Sequence, residues 1–87
     1  MEVKVIEETD TEFVFEVIAE KTILNPLKER LLRHEQVDYA GWNVSHPLLA
    51  NPRFTIRVHE GSPRDIVIQT IREMQDDIAG LKDQLEA

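Results

Sequence analysis

The sequence predicts an α+β fold of order ββαββα, with a four-stranded, mainly antiparallel sheet, two helices on one face and a long C-terminal helix. Four short segments alternate apolar and polar residues, as half-buried strands do, and two other segments repeat apolar residues with helical spacing. One helical segment follows each pair of predicted strands. This order favours helices that are gathered on one face of an antiparallel sheet.

The first two strands are predicted close to the amino-terminal end. The segment "MEVKVIEE" alternates with Val3 and Val5 on one face. The segment "EFVFEVIA" alternates in the same way, with Phe13, Phe15 and Val17 in step. The polar "TDT" between them is typical of a turn, so the two segments are predicted to form a β-hairpin or two adjacent strands.

The segment "KTILNPLKERLLRHE" predicts a helix, because Leu24, Leu27 and Leu31 share one helical face. Pro26 limits where a regular helix can begin, since proline has no N–H to donate and is favoured at the first helical position. We therefore predict that Asn25 caps a helix that is regular from Pro26, after an irregular turn.

Two further strands are predicted in "VDYAGWNV" and "RFTIRVH". Simple alternation puts Trp42 and Val44 on one face of the first of these strands and Val37 on the other. Pro47 and Pro52 lie between the strands and cannot donate to a sheet ladder. They are therefore predicted to bracket a connection outside the sheet.

The segment "EGSPRD" is a strong signal for a helix start, because Ser62 can cap and Pro63 takes the first helical position. The helix is predicted from Pro63 to about Leu85. A helix of roughly 23 residues is about 35 Å long, whereas a four-stranded sheet is only about 20 Å wide. The end of the helix is therefore predicted to overhang its domain and to need another helix as cover. Its apolar residues have the spacing of a heptad seam and are Val67, Ile71, Met74, Ile78, Leu81 and Leu85.

Composition bounds the class of protein. The 87 residues are enough for a single domain, predicted to span residues 1–87. The chain has no cysteine, so neither a disulfide framework nor a thiolate metal site is predicted. It contains no apolar run near the roughly 20 residues that a membrane helix needs. Its acidic amino-terminal end is unlike a signal peptide, so a cytoplasmic location without membrane contact is expected.

The net charge of −7 argues against direct binding of nucleic acid, which needs a basic face. The most basic region, residues 21–62, holds six basic and four acidic groups, a local excess of only +2. We interpret its cations as solvated charges or as pairs for acidic groups of a partner. A weak basic strip remains an alternative, formed by Lys28, Arg30, Arg33, Arg53 and Arg57.

The sequence predicts no catalytic residue, metal site or cofactor. The three histidines, His34, His46 and His59, lie in separate predicted elements, whereas a metal site needs clustered ligands. His46 precedes a proline, and a shaped turn explains that step better than catalysis does. A catalytic His46 is kept as an alternative.

Two segments resemble parts of a known family, the RNA polymerase assembly subunits. "KTILNPLKERLL" resembles the family's "HTLGNLLR" helix, although Lys21, Leu24 and Pro26 stand where histidine, glycine and leucine are usual. "VDYAGWNVSHPLLANPRFTIRV" resembles the part that follows, with its Ala-Gly-aromatic step, His-Pro-Leu, a later proline and a closing strand. With the acidic amphipathic C-terminal helix, the resemblance covers the whole chain. The family includes the L subunit of archaeal polymerase, the eleventh subunit of eukaryotic polymerase II and the dimerisation part of the bacterial alpha subunit.

The resemblance implies a non-catalytic subunit in transcription. Such a protein pairs with the D subunit of the polymerase in a heterodimer that nucleates assembly of the large catalytic subunits, alongside other small assembly subunits. It also implies that His46, Pro47 and Pro52 form a structural turn near the assembly surface. The first and last helices would pack against the partner through Leu24, Asn25, Leu27, Leu31, Val67, Ile71, Met74, Ile78 and Leu81.

Two other functions are carried as alternatives. The segment "SHPLLANPRFTIRVHEGSPRD" loosely resembles pterin carbinolamine dehydratases, but Ser45 stands where those enzymes have the first of two histidines. A free-standing homodimeric adaptor held by the heptad seam is the other, because a heptad pattern does not identify its partner.

Overall fold

The computed structural model describes residues 2–18, 22–44 and 51–86. These residues form one four-stranded antiparallel sheet with strand order β1-β2-β4-β3 and two helices. The predicted ββαββα fold is confirmed. In chain order the elements are β1 (Glu2–Glu8), β2 (Glu12–Ile18), α1 (Leu24–Leu31), β3 (Val37–Asn43), β4 (Arg53–Val58) and α2 (Pro63–Glu86).

The core lies between one face of the sheet and the helices. Phe15 of β2 is at its centre, with its ring centroid 5.3 Å from the rings of both Phe13 and Phe54. The helix α1 packs over β3, and α2 packs over β2 and β4. The helices thus cover three of the four strands. The buried apolar residues are Phe13, Phe15, Val17, Leu24, Leu27, Leu31, Ala40, Phe54, Ile56, Val58, Ile66, Val67 and Met74.

The start of α1 differs from the prediction. The helix begins at Leu24, with Ile23 at the N-cap position, so the predicted regular start at Pro26 is wrong. The first helical hydrogen bond runs from the Leu27 N–H to the Ile23 carbonyl at 2.9 Å. Pro26 is therefore the third helical residue, where an N–H would have no helical acceptor in any case. Proline consequently costs α1 no hydrogen bond.

Asn25 does not cap α1, contrary to the prediction. It is the second residue of the helix, and its Oδ1 accepts a hydrogen bond from Trp42 Nε1 at 3.0 Å. Because Trp42 belongs to β3, this hydrogen bond joins α1 to the edge of the sheet.

A β-bulge in β1 changes the face on which its last residues lie. Val3 and Val5 lie opposite Val17 and Phe15, but the register shifts between Val5 and Glu7. Beyond the shift, Glu8 lies opposite Phe13 on the helix-covered face, where simple alternation would not place it.

A second bulge corrects the predicted orientation of Val37. The register between β3 and β4 shifts between Val37 and Tyr39. Val37 therefore lies opposite Val58 and packs against the core, on the same face as Trp42. The prediction of opposite faces is wrong because one extra residue reverses the alternation.

The helix α2 confirms the predicted range to within one residue. The Asp65 N–H donates to Ser62 Oγ at 3.3 Å, as expected of the predicted cap. Just before it, Gly61 has a φ of 78°, a conformation that glycine adopts without the steric cost of a Cβ atom. All buried residues of α2 lie at or before Met74, and residues 75–86 are exposed. About 18 Å of helix thus extends past the described core.

The bulge in β1 also creates an ion pair between the sheet and α2. Arg64 donates from Nε to Glu8 Oε2 at 2.7 Å and from Nη2 to Glu8 Oε1 at 2.6 Å. These hydrogen bonds lower the pKa of Glu8 and raise the pKa of Arg64. The guanidinium also lies over the Phe13 ring, 5.1 Å from its centroid. The pair therefore anchors the first turn of α2 to the edge strand.

Glu8→Gln is expected to lower the free energy of unfolding at neutral pH, with the difference vanishing in acid. The pKa of Glu8 is lower in the folded chain than in the unfolded chain, so the ionised pair stabilises the fold above the unfolded value. That contribution is lost as pH falls through the folded pKa. Urea unfolding between about pH 7 and about pH 3 measures the difference.

Glu7→Gln is the control for this prediction, because it removes a neighbouring carboxylate from the opposite face of β1. If the free energy of unfolding of Glu8→Gln differs from that of the wild type by the same amount at every pH, the ion pair does not contribute to stability.

Candidate protein-interaction surface

A mainly apolar groove of about 450 Å³ lies between α1 and α2. Ile23 and Pro26 line it from the side of α1, and Ile71 and Met74 line it from α2. Farther along, Arg30 of α1 and Asp77 of α2 form an ion pair beside the groove. The ion pair is a direct polar link between the two helices.

The groove continues along the exposed end of α2. Ile78, Leu81 and Leu85 are 66%, 57% and 78% exposed, and we call these three residues the distal seam. They repeat at heptad spacing on one side of the helix. Single exposed apolar residues are ordinary, but a row of large ones on an overhanging helix marks a candidate interaction surface.

A second hollow of about 250 Å³ lies on the other side of α2, over β1. Its rim is formed by Val3, Val5 and Ile68, which are between 40% and 49% exposed, and we call it the β1 notch. The sequence patterns did not place these residues at a site. The sequence does show that Val3 and Val5 are apolar and alternate as core residues do. It does not show that they are exposed, because their exposure depends on β1 being an edge strand beyond the helices.

The structure separates the predicted interface residues into two groups. Leu24, Leu27 and Leu31 are at most 1% exposed, because they fill the space between α1 and the chain's own sheet. Val67 and Met74 are also buried in the core. The remaining predicted residues have exposed surface. Ile71 lines the groove, and Ile78 and Leu81 lie on the distal seam. Asn25 is exposed on α1 but faces Trp42 of β3 and does not line the groove.

Part of the predicted structural turn can be placed. Pro52 is buried, and its carbonyl accepts a hydrogen bond from the Val17 N–H at 2.9 Å, which continues the contact between β2 and the start of β4. His46 and Pro47 lie outside the described residues.

The other two histidines are far apart in the chain and contact different partners. His34 Nε2 lies 3.2 Å from the buried Thr70 hydroxyl, which also donates to the Ile66 carbonyl at 2.7 Å. His59 Nδ1 lies 2.6 Å from Asp38 Oδ1. The described residues contain no cluster of three or more histidine or carboxylate side chains that could hold a metal ion.

The basic residues in the middle of the sequence do not form one strip. Lys28 and Arg33 lie on the α1 side of the sheet, whereas Arg53 and Arg57 lie on its opposite face. Arg57 contacts Glu12 across the strands at 3.4 Å. The cations therefore belong to two separate surfaces. Neither helix in the described part of the chain is long and apolar enough to cross a membrane.

Fold and surface together define a protein-interaction domain, whose longest helix carries an apolar row beyond its own core. The family described as RNA polymerase Rpb3/Rpb11 dimerisation domain matches residues 12–84. The chain belongs to this family, which confirms the resemblance seen in the sequence.

Individual relatives agree with this assignment. DNA-directed RNA polymerase subunit Rpo11 of Methanocaldococcus jannaschii is 34% identical over 84 residues, covering 85% of both chains. The Halorubrum lacusprofundi Rpo11 is 31% identical over 100% of this chain and 99% of its own length. The alignment with Thermoplasma acidophilum Rpo11 is shorter and spans 50% of that relative. The crystal structure of subunit L from Thermoplasma acidophilum matches with a TM-score of 0.87 and 28% identity, over 98% of this chain and 85% of that chain.

Proposed function

We propose that this chain is an L-type small subunit of an archaeal DNA-directed RNA polymerase and acts in the cytoplasm as one dimerisation domain. Its role is to hold other subunits in place. The polymerase joins nucleotides, and this chain supplies neither catalytic residues nor metal ligands and does not contact nucleic acid. The observation that carries the proposal is the distal seam, an apolar surface on a helix that extends past its own core.

The partner in this proposal is the D subunit of the same polymerase. The family's description couples Rpb3 with Rpb11, which supports pairing between two domains of one kind. The contact is made by Ile78 and Leu81, with Ile71 in the groove. The exposed Asn25, beside Trp42 on the other side of α1, is proposed as a contact at the margin of the interface. The buried residues of both helices pack against the sheet and so fix the position of this surface. The net charge of −7 disfavours a second copy of the same chain through long-range repulsion.

The proposed heterodimer nucleates assembly of the large catalytic subunits, together with other small assembly subunits. The turn that contains His46, Pro47 and Pro52 lies near that assembly surface in the proposal. Permanent interfaces of this kind resemble a domain core cut in half, which suits an apolar groove and seam.

Reconstitution from purified subunits tests the assembly role. Leaving this chain out is expected to prevent the D subunit from recruiting the large subunits, so both the assembled complex and RNA synthesis are lost. Adding the folded wild-type chain should restore both. Equal yields of active polymerase with and without the chain would contradict the proposal.

A further inference from the structure

The β1 notch lies next to the groove but is not part of it. Ile71 lines both hollows, so the two apolar surfaces meet at one side chain of α2. Val3 and Val5 belong to the apolar face of the sheet, opposite the buried Val17 and Phe15, yet they stay about half exposed. The notch is therefore a gap in the cover of the sheet's apolar face. It lies between α2 and the edge strand β1.

The positions along α2 relate the notch to the distal seam. Burial along the helix ends at Met74, and the exposed half begins at Gln75. Ile68 and Leu81 are equally far from this boundary, at about 10 Å along the axis. Arg64, which lines the notch, and Leu85 are also equally far from it, at about 16 Å.

Consider a partner domain of the same fold whose long helix runs antiparallel to α2 and crosses it at this boundary. The C-terminal end of the partner's helix would then reach the β1 notch of this chain. Its residue equivalent to Leu81 would lie beside Ile68, and its residue equivalent to Leu85 would lie level with Arg64. In return, the distal seam of this chain would enter the partner's notch. Such reciprocal contacts are characteristic of an interface built on a twofold or pseudo-twofold axis.

Charge at the end of α2 favours the antiparallel direction. The last turn contains no basic residue. Just before it, Lys82 lies 3.9 Å from Glu86, and Asp83 is a further carboxylate near this end. Acidic groups are unfavourable at the C-terminus of a helix and favourable at its N-terminus. An antiparallel partner would bring its helix N-terminus beside these carboxylates, whereas a parallel partner of similar charge would bring carboxylates together.

We propose that the β1 notch receives the C-terminal end of the partner's long helix, while the distal seam of this chain occupies the equivalent notch in the partner. The occupant is the helix of a domain of the same fold on a different chain, which rests on the proposed pairing with the D subunit. The interface is then larger than the groove between α1 and α2. It includes an edge strand that the helical contacts alone would leave out.

Site-specific cross-linking tests the occupant. The chain has no cysteine, so Val5→Cys gives a unique thiol for benzophenone maleimide. After complex formation with the D subunit, irradiation and mass spectrometry are expected to place cross-links in the last three turns of the partner's long helix. Lys4→Cys carries the same probe on the opposite face of β1 and should not react with that helix.

The possible results distinguish this proposal from the proposed function. Cross-links elsewhere in the D subunit, or none, in a complex that light scattering shows to be 1:1 would overturn the notch proposal and leave the pairing intact. Cross-links to a second copy of this chain would also overturn it. Failure of the unlabelled wild-type chain to bind the D subunit would instead remove the pairing on which the proposal rests.

Affinity gives an independent check on the notch. Val5→Glu places a charge on the rim and is expected to weaken binding to the D subunit about tenfold or more. Because Val5 is about half exposed, thermal unfolding should show the variant still folded at the binding temperature. Lys4→Glu should change affinity by less than about twofold. A folded Val5→Glu variant that binds like the wild type would overturn the proposal.

Discussion

Replacing Ile78 and Leu81 together with aspartate is expected to abolish the complex with the D subunit while leaving this chain folded. Both side chains are more than half exposed in the chain alone, so the substitutions change its stability by only about 0.5 kcal/mol each. In the complex, each carboxylate would be enclosed by apolar groups without a compensating charge. A combined loss of about 4 kcal/mol corresponds to about a thousandfold weaker binding, which a titration of labelled chain with the D subunit would measure.

Ala79→Asp is the control. It adds one carboxylate, half the charge of the double variant, one residue away from Ile78 on a different side of α2. Its affinity should stay within about twofold of the wild type, since surface substitutions away from the interface have small effects. Circular dichroism should show the same helix content in all variants. Wild-type affinity of the double variant would rule out the distal seam as the contact.

Phe54→Ala is expected to have the largest effect on stability. Phe54 is 0% exposed and stacks on Phe15, with ring planes inclined by 19°. Removing a buried phenylalanine costs about 3–5 kcal/mol, through lost burial and the cavity that remains. A domain of this size has only about 4–13 kcal/mol of stability in all, so the variant loses a large part of it.

Thr55→Ala is the control for Phe54→Ala, since it truncates the next residue on the opposite, partly exposed face of β4. Its free energy of unfolding should fall by less than about 1 kcal/mol in a urea titration. Similar losses in both variants would show that the aromatic cluster is not the main support of the sheet.

The elements that could be predicted are those that local sequence specifies. Ser62 and Pro63 define the start of α2, and its heptad spacing continues to the end, so both its range and its overhang follow from nearby residues. The bulges in β1 and β3 could not be predicted, because an extra residue is visible only when the paired strand is known. The start of α1 at Leu24 escaped prediction because Pro26 is compatible with more than one early helical position.

The candidate interaction surface could be predicted from sequence only where α2 is longer than the sheet that it covers. Ile78 and Leu81 repeat beyond the length that a four-stranded sheet can cover, which marks them before any fold is known. Leu27 has the same helical periodicity but is buried by its own sheet, and periodicity alone does not distinguish the two cases. The β1 notch required the strand order, because Val3 and Val5 are exposed only as part of an edge strand beyond the helices.

Co-expression of this chain with the D subunit of the same organism, followed by size-exclusion chromatography with light scattering, decides whether the chain is a pairing subunit. The expected result is one species with the mass of a 1:1 complex. Elution of the chain apart from the D subunit, either alone or as a homodimer, would contradict the pairing and the assembly role proposed from it.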